Sequence, residues 1–276
     1  MHPQPWAARI HALLWGATIT VLVGALVNTA AEGVFGESVS AVAVAPFVEE
    51  TMKGLGVLWA VRRREVEGAM DGIVIAGWVG LGFAVVEDMV FFSIGAEEGE
   101  LLQSFLLRDL ITPFAHPMVT FWTGLALGIA VYRRRPLAWA LWGYAIAVAT
   151  HALLNGAWEV AGVRLSPVGI TLYFALLIPV AIWVISARRK QADQFIAAIP
   201  ALPEHFALPP QEEANFATWH GMLAHRRQLP RDQRRQFDAM RTSLARLTEQ
   251  LARPGGPDPD REQELADQLQ QPREGQ

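Results

Sequence analysis

Long apolar runs separated by short charged loops fill the chain up to about Arg188, and beyond that point the pattern turns polar. Six runs stand out, roughly Ala8 to Ala30, Ser38 to Val61, Gly72 to Gly95, Pro113 to Tyr132, Leu137 to Gly162 and Leu165 to Ser186. Each approaches the ~20 residues that a helix, rising ~1.5 Å per residue, needs to cross ~30 Å of hydrocarbon. The pattern predicts an all-α polytopic membrane bundle of about six transmembrane helices over residues 1–190, followed by a soluble helical tail over residues 191–276. Thr29-Ala30-Ala31 resembles a leader cleavage site, but the apolar core before it is longer than a signal region and reads as a retained anchor.

Loop charges orient the runs. Arg62-Arg63-Arg64, Arg133-Arg134-Arg135 and Arg188-Arg189-Lys190 fall on one side, and Glu32, Glu37, Glu97, Glu98 and Glu100 on the other, with only Arg108 and Arg164 among them. An arginine-rich side is the cytoplasmic one, which puts both termini inside. Trp6, Trp59, Trp78, Trp139 and Trp183 sit near the same ends, as interfacial anchors do. The net charge of -4 gives no footprint for a nucleic-acid partner. With no cysteine, disulfides, cysteine-ligated zinc and thiol catalysis are excluded.

Small residues and short amphipathic stretches fill in the rest. Gly77, Gly80, Gly82, Gly124 and Gly128 should let helices approach closely. Leu101, Leu102, Phe105, Leu106 and Leu110, after an acidic stretch, predict a short helix lying at the outer interface. In the tail, Phe237, Met240, Leu244, Leu247 and Leu251 make a short heptad seam. Phe216, Trp219 and Leu223 make a second stripe, with Pro209-Pro210 and Pro230 as punctuation, so a helical hairpin is expected. Beyond Arg253 the Pro-Gly-Asp-Gln-rich end reads as disordered, and the tail shows no catalytic constellation.

Candidate chemistry lies inside the membrane. Glu49, Glu50 and Lys53 interrupt the second run, and ionisable groups at membrane depth mark functional sites. With Glu49 at 0°, Glu50 lies near about 100° and Lys53 near about 40°, so the ammonium falls between the two carboxylates. At ~1.5 Å per residue the glutamates lie roughly 16–18 Å below the outer surface, Glu87 about 12 Å, His116 about 5–10 Å, and His151 and Asn155 about 10–16 Å. Four helices thus place acids, imidazoles and an amide in one outer-half slab. Such a set suits hydrolysis, which needs a base for water and donors for an oxyanion. A glutamate takes the proton, His116 helps orient the water, and His151 with Asn155 stabilises the oxyanion. Lys53 and Glu87 are supporting residues, and Asp88 and Glu159 read as structural. Two histidines and a glutamate would also make a zinc site. The chain lacks His-Glu-x-x-His, however, so no metal or other cofactor is expected and zinc is the alternative.

Glu49-Glu50-x-x-Lys53, Phe83-x-x-x-Glu87, His116 and His151-x-x-x-Asn155, on successive helices, resemble the bacterial PrsW family of intramembrane proteases. They are also similar to the broader group of CAAX-prenyl endopeptidases and bacteriocin-immunity proteins, which carry Arg in place of Lys53 and His in place of Glu87. The resemblance covers roughly Ser38 to Gly156. It implies a multi-pass endopeptidase of the bacterial cell membrane, described as glutamic-type and sometimes as a metalloprotease. The implied substrate is a single-pass or otherwise membrane-anchored protein, an anti-sigma factor being the known type of target. A proton- or ion-coupled transporter with buried Glu and His is the alternative from another class, and a receptor or scaffold a third.

The charge asymmetry yields a direct test, since this cysteine-free chain accepts single engineered cysteines. An impermeant thiol reagent applied to intact cells should label the loop containing Glu97 and Glu98 and leave positions beyond Arg188 unlabelled. Labelling of the tail alone would invert the orientation.

Overall fold

The computed structural model describes residues 5–161, 167–202, 213, 214, 216, 218–256 and 259–270, among which every regular element is a helix. Arg164, the start of the sixth apolar run at Leu165, and Pro209-Pro210 lie outside the described residues. The first compact unit runs to Ala181 and the second from Ile182 onward.

Among the described residues, five helices are long and apolar enough to span a membrane. They are α1 (Trp6–Phe35), α3 (Ala69–Glu97), α4 with α5 (together Leu101–Tyr132), α6 (Leu141–Ala161, preceded by a 3-10 turn at Leu137–Ala140) and α7 (Pro167–Ala198). The second run, Ser38 to Val61, forms α2, residues 37–62, which is as long as a span but carries Glu49, Glu50 and Lys53. α2 consists of Glu37–Val39, a π turn at Ser40–Val44 and the α-helical Ala45–Arg62. The π turn precedes Pro46, which has no backbone N–H to continue the ladder, so the irregularity has a local cause. In the connection before α5, α4 proper is Leu101–Phe105, continued by a π turn at Leu106–Ile111. This is the short amphipathic helix expected there. Leu101, Leu102, Phe105 and Leu110 are exposed while Ser104 is buried.

Within the bilayer there is little hydrophobic drive between helices, so close packing has to come from shape. At the α3–α5 (Ala115–Tyr132) contact, a Cβ on Gly72 would lie 2.1 Å from the Gly124 carbonyl oxygen. Gly128 meets the Gly68 carbonyl in the same way, and Gly82 packs on the backbone of Leu13 in α1. Gly77 differs from the sequence expectation, because nothing lies within 4 Å of the Cβ it lacks. Around these contacts Ala8, Ala12, Val57, Ile75, Ala76, Val79, Ala126 and Ala130 form the core. Small side chains dominate it, which is what brings α2, α3 and α5 near enough for polar side chains to meet.

In the second unit, Thr218 caps α8 (Trp219–Gln228) by accepting from the Gly221 amide at 3.0 Å. α9 (Arg231–Leu251) follows Pro230. The predicted seam is its inner face: Phe237, Leu244 and Leu247 are buried, with Met240 and Leu251 packed against them. Phe216 joins this core and stacks on Phe237 at 5.4 Å. Arg226 donates to Asp238 through Nε at 2.7 Å and Nη2 at 2.6 Å, a hydrogen-bonded pair that holds the aspartate below the usual carboxylate range. The expected disorder beyond Arg253 does not hold for residues 259–270. They form α10 (Pro259–Gln270), whose Leu265 and Leu269, four residues apart, enter the same core.

The α3–α5 contact has a testable weight. Gly72→Ala drives a methyl into a backbone carbonyl that cannot rotate away, and overpacking of this kind costs about 1–3 kcal/mol. Thermal unfolding of the detergent-solubilised protein should show a clearly lowered midpoint for Gly72→Ala, whereas Gly77→Ala, in open space, should melt like the parent.

Candidate active site

Lys53 is the centre of the polar cluster. It is fully buried and lies one helical turn after Glu49 and Glu50 on α2. Its Nζ lies 2.9 Å from Glu50 Oε1, 3.4 Å from Glu49 Oε2 and 3.1 Å from His116 Nδ1. It also sits 3.9 Å from the centre of the Phe83 ring. An ammonium has three hydrogens and accepts nothing, so these three acceptors match its capacity. The angular reading of the sequence, with Lys53 between the carboxylates, is the arrangement found.

The same rule fixes both imidazoles. Because Lys53 can only donate, His116 Nδ1 is an acceptor. The ring proton is therefore on Nε2, which donates to Glu87 Oε2 at 2.8 Å. His151 Nδ1 faces Glu50 Oε1 at 3.1 Å, and since an ionised carboxylate only accepts, that nitrogen carries the proton. His151 Nε2 keeps its lone pair and lies 3.9 Å from Glu49 Oε2. The two rings stand edge to face, 5.4 Å apart.

The two glutamates are held differently. Glu50 has no exposed surface and is bonded by Lys53, His151 and, through Oε2, the Thr120 hydroxyl at 3.0 Å. Glu49 is held loosely, by Asn28 Nδ2 at 3.3 Å and Lys53 at 3.4 Å. Glu50 is thus the more firmly held carboxylate and Glu49 the more loosely held one. Thr120 and Asn28 went unnoticed in the sequence, where a hydroxyl or an amide in an apolar run carries no pattern of its own.

Glu87 also receives Arg108, whose Nη2 donates to Glu87 and whose Nε donates to Asp88. Asp88 is thus the pairing residue expected of it. Asn155 lines the same cavity as His151 and also has a structural partner. Its Nδ2 donates to the Ala41 carbonyl at 2.9 Å. In the π turn the Ala45 amide bonds Ser40, and residue 46 is proline, so Ala41 lacks a helical donor that Asn155 supplies. The side chain expected beside His151 as an oxyanion donor therefore ties α6 to the irregular turn of α2. Glu159 accepts from the Ser38 hydroxyl, again between α6 and α2.

The cluster opens into a cavity of about 560 Å³ lined by residues that include Glu87, Arg108, His116, His151, Asn155 and Tyr173. One ligand atom from each of Glu49, His116 and His151 can be chosen so that all three lie within 4.8 Å of one another. Two imidazoles and a carboxylate are the donor set of many hydrolytic zinc sites. Each imidazole has its other nitrogen bonded to a carboxylate, the outer-shell arrangement that orients metal-binding histidines. Charge points the same way. Glu49, Glu50, Glu87 and Asp88 face Lys53 and Arg108, so four acids against two cations leave a surplus of two negative charges when all are ionised. The residues present fit a divalent metal.

No curated protein and no solved structure matches the chain. The family model described as PrsW family intramembrane metalloprotease matches residues 4–184, the helices that build this site. The chain belongs to the PrsW family and is a multi-pass membrane peptidase.

Proposed function

We propose that the chain hydrolyses a peptide bond of a membrane-anchored protein at Glu49, His116 and His151, and that these three residues would hold a zinc ion. The observation that carries the reading is the pair of carboxylate-bonded imidazoles, Glu50–His151 and Glu87–His116, each grouped closely with Glu49 and each leaving its other ring nitrogen as a candidate ligand. A bound zinc would supply Lewis acidity toward a carbonyl and a water molecule. The chain's own residues do the rest. Glu50 keeps the proton on His151 Nδ1, and Glu87 keeps it on His116 Nε2. Lys53 offsets the carboxylate charge and is the ammonium nearest to where an oxyanion would form. The buried walls exclude bulk water, which strengthens each of these interactions. An anti-sigma factor is the substrate type that the family resemblance implies. The orientation read from the loop charges puts the cavity toward the non-cytoplasmic face.

A second reading has its own observation. Lys53 Nζ already lies 3.1 Å from His116 Nδ1, so a cation occupies part of the donor set. In a metal-free enzyme Glu49, the loosely held carboxylate, would take the proton of the attacking water directly.

Purified protein, co-reconstituted with a single-pass substrate, separates the two. The expected result is about one zinc per chain, cleavage abolished by chelation and restored by zinc, and loss of both zinc and cleavage in His151→Ala. Glu49→Gln should lower turnover by at least ~10²-fold in either reading. Activity that survives thorough chelation but not Glu49→Gln would select the glutamic mechanism. Activity that survives both would remove the hydrolytic assignment of this site.

A further inference from the structure

Arg108 is not needed to explain the reaction, yet it reaches into the reaction's hydrogen-bond chain. It lies in the π turn that continues α4, among exposed apolar side chains on the outer face of the short helix. Its guanidinium turns inward, 3.9 Å over the Phe91 ring, and its two nitrogens bond two adjacent carboxylates of α3. The oxygen of Glu87 that receives Arg108 Nη2 is the same Oε2 that accepts from His116 Nε2. Ser104, one turn earlier, seats the segment. It is buried against α3, where a Cβ on Gly95 would lie 2.7 Å from its hydroxyl. Ser104, Leu107 and Arg108 all line the active-site cavity.

From this chain of contacts we infer that Arg108 is a positioning residue for His116, acting through Glu87. A carboxylate on a flexible side chain can present either oxygen in several rotamers, and one acceptor bond to an imidazole does not select among them. The forked guanidinium does, because Nε on Asp88 fixes the plane from which Nη2 reaches Glu87. Lysine keeps the charge but is a point donor without that fork. Glu87 then accepts the His116 Nε2 proton and keeps Nδ1 turned toward Lys53. The external segment, read from the sequence as a connector lying on the interface, is on this account a part of the catalytic machinery. Asp88 serves as the anchor of the fork rather than as a reacting group.

The inference rests on the proposed hydrolytic role of His116, so two readouts are needed, only one of which depends on activity. The first is ¹⁵N spectroscopy of solubilised protein labelled at histidine, with the His116 signals assigned by their loss in His116→Gln. The parent should show one tautomer protonated at Nε2. Arg108→Gln should keep the Nε2 proton, which Lys53 enforces from the other side of the ring, but shift and broaden the His116 signals as the Glu87 hydrogen bond loses its fixed geometry, with Arg108→Lys giving an intermediate spectrum. The second is turnover of a reconstituted membrane-anchored substrate. Arg108→Gln should lower kcat by ~10–100-fold, the usual effect of losing such a support. KM should change by less than about threefold, since no contact with bound substrate is removed. Partial recovery is expected in Arg108→Lys. An unchanged His116 spectrum in Arg108→Gln, or a loss confined to KM, would overturn the inference and leave Arg108 as part of the cavity wall. A shifted and broadened His116 spectrum in Arg108→Gln of a protein that cleaves nothing, parent included, would uphold the positioning role and sink the protease reading instead.

Discussion

The structure depends on keeping one ammonium group in the membrane interior. Lys53 has no exposed surface, and taking an ion out of water costs several kcal/mol even after relaxation. A single carboxylate at 2.9 Å returns roughly 6 kcal/mol of Coulomb energy at an effective dielectric constant of ~20, which about balances the desolvation of the two ions. Lys53 has more than one partner. Glu49, His116 Nδ1 and the face of Phe83 share it with Glu50, so every hydrogen of the ammonium is used. Those partners come from α2, α3 and α5, and His151 of α6 joins through Glu50. Moving any one of these helices would leave a buried group without its counterpart. The small-residue packing of α3 on α5 and the polar cluster are therefore two expressions of one requirement.

That requirement also sets protonation states. Because a lysine can only donate and a carboxylate can only accept, each neutral histidine is left with a single tautomer, with His116 Nδ1 toward Lys53 and His151 Nε2 toward Glu49. Arg108, forked over Asp88 and Glu87, adds the support that aims His116. Electrostatics and geometry act together, as in preorganised catalytic sites, where the donors and acceptors are arranged before the substrate arrives.

Much of this was legible in the chain. The spacing of Glu49, Glu50 and Lys53 places the ammonium between the acids, and counting residues from the loops puts Glu87, His116 and His151 at compatible depths. Arg108 was visible but was read only for its charge, as one of two positive residues in the outer loops. Its role needs the fold of the 101–111 segment back onto α3, which periodicity does not report. The bond that Asn155 makes was hidden for a similar reason. Its partner is a carbonyl freed by a π turn ahead of Pro46, and hydrophobic periodicity does not report which carbonyl such a turn orphans. In the tail, the charged residues around Leu265 and Leu269 hid a four-residue apolar spacing that becomes useful only once the α9 seam is there to receive it.

The polar α2 has a consequence for how the protein is made. Five helices carry enough apolar length to enter a bilayer on their own, whereas α2 brings two glutamates and a lysine. Each such residue near the centre of a helix adds ~2.5–3.5 kcal/mol to the cost of insertion. An isolated α2 would therefore partition poorly, and its place between α1 and α3 in the chain becomes significant. The neighbouring spans can hold it at the membrane until Thr120, His116 and His151 arrive from later helices to neutralise its charges. Membrane integration of this helix and completion of the active site then become one event, so a chain interrupted during synthesis leaves no half-built peptidase in the bilayer.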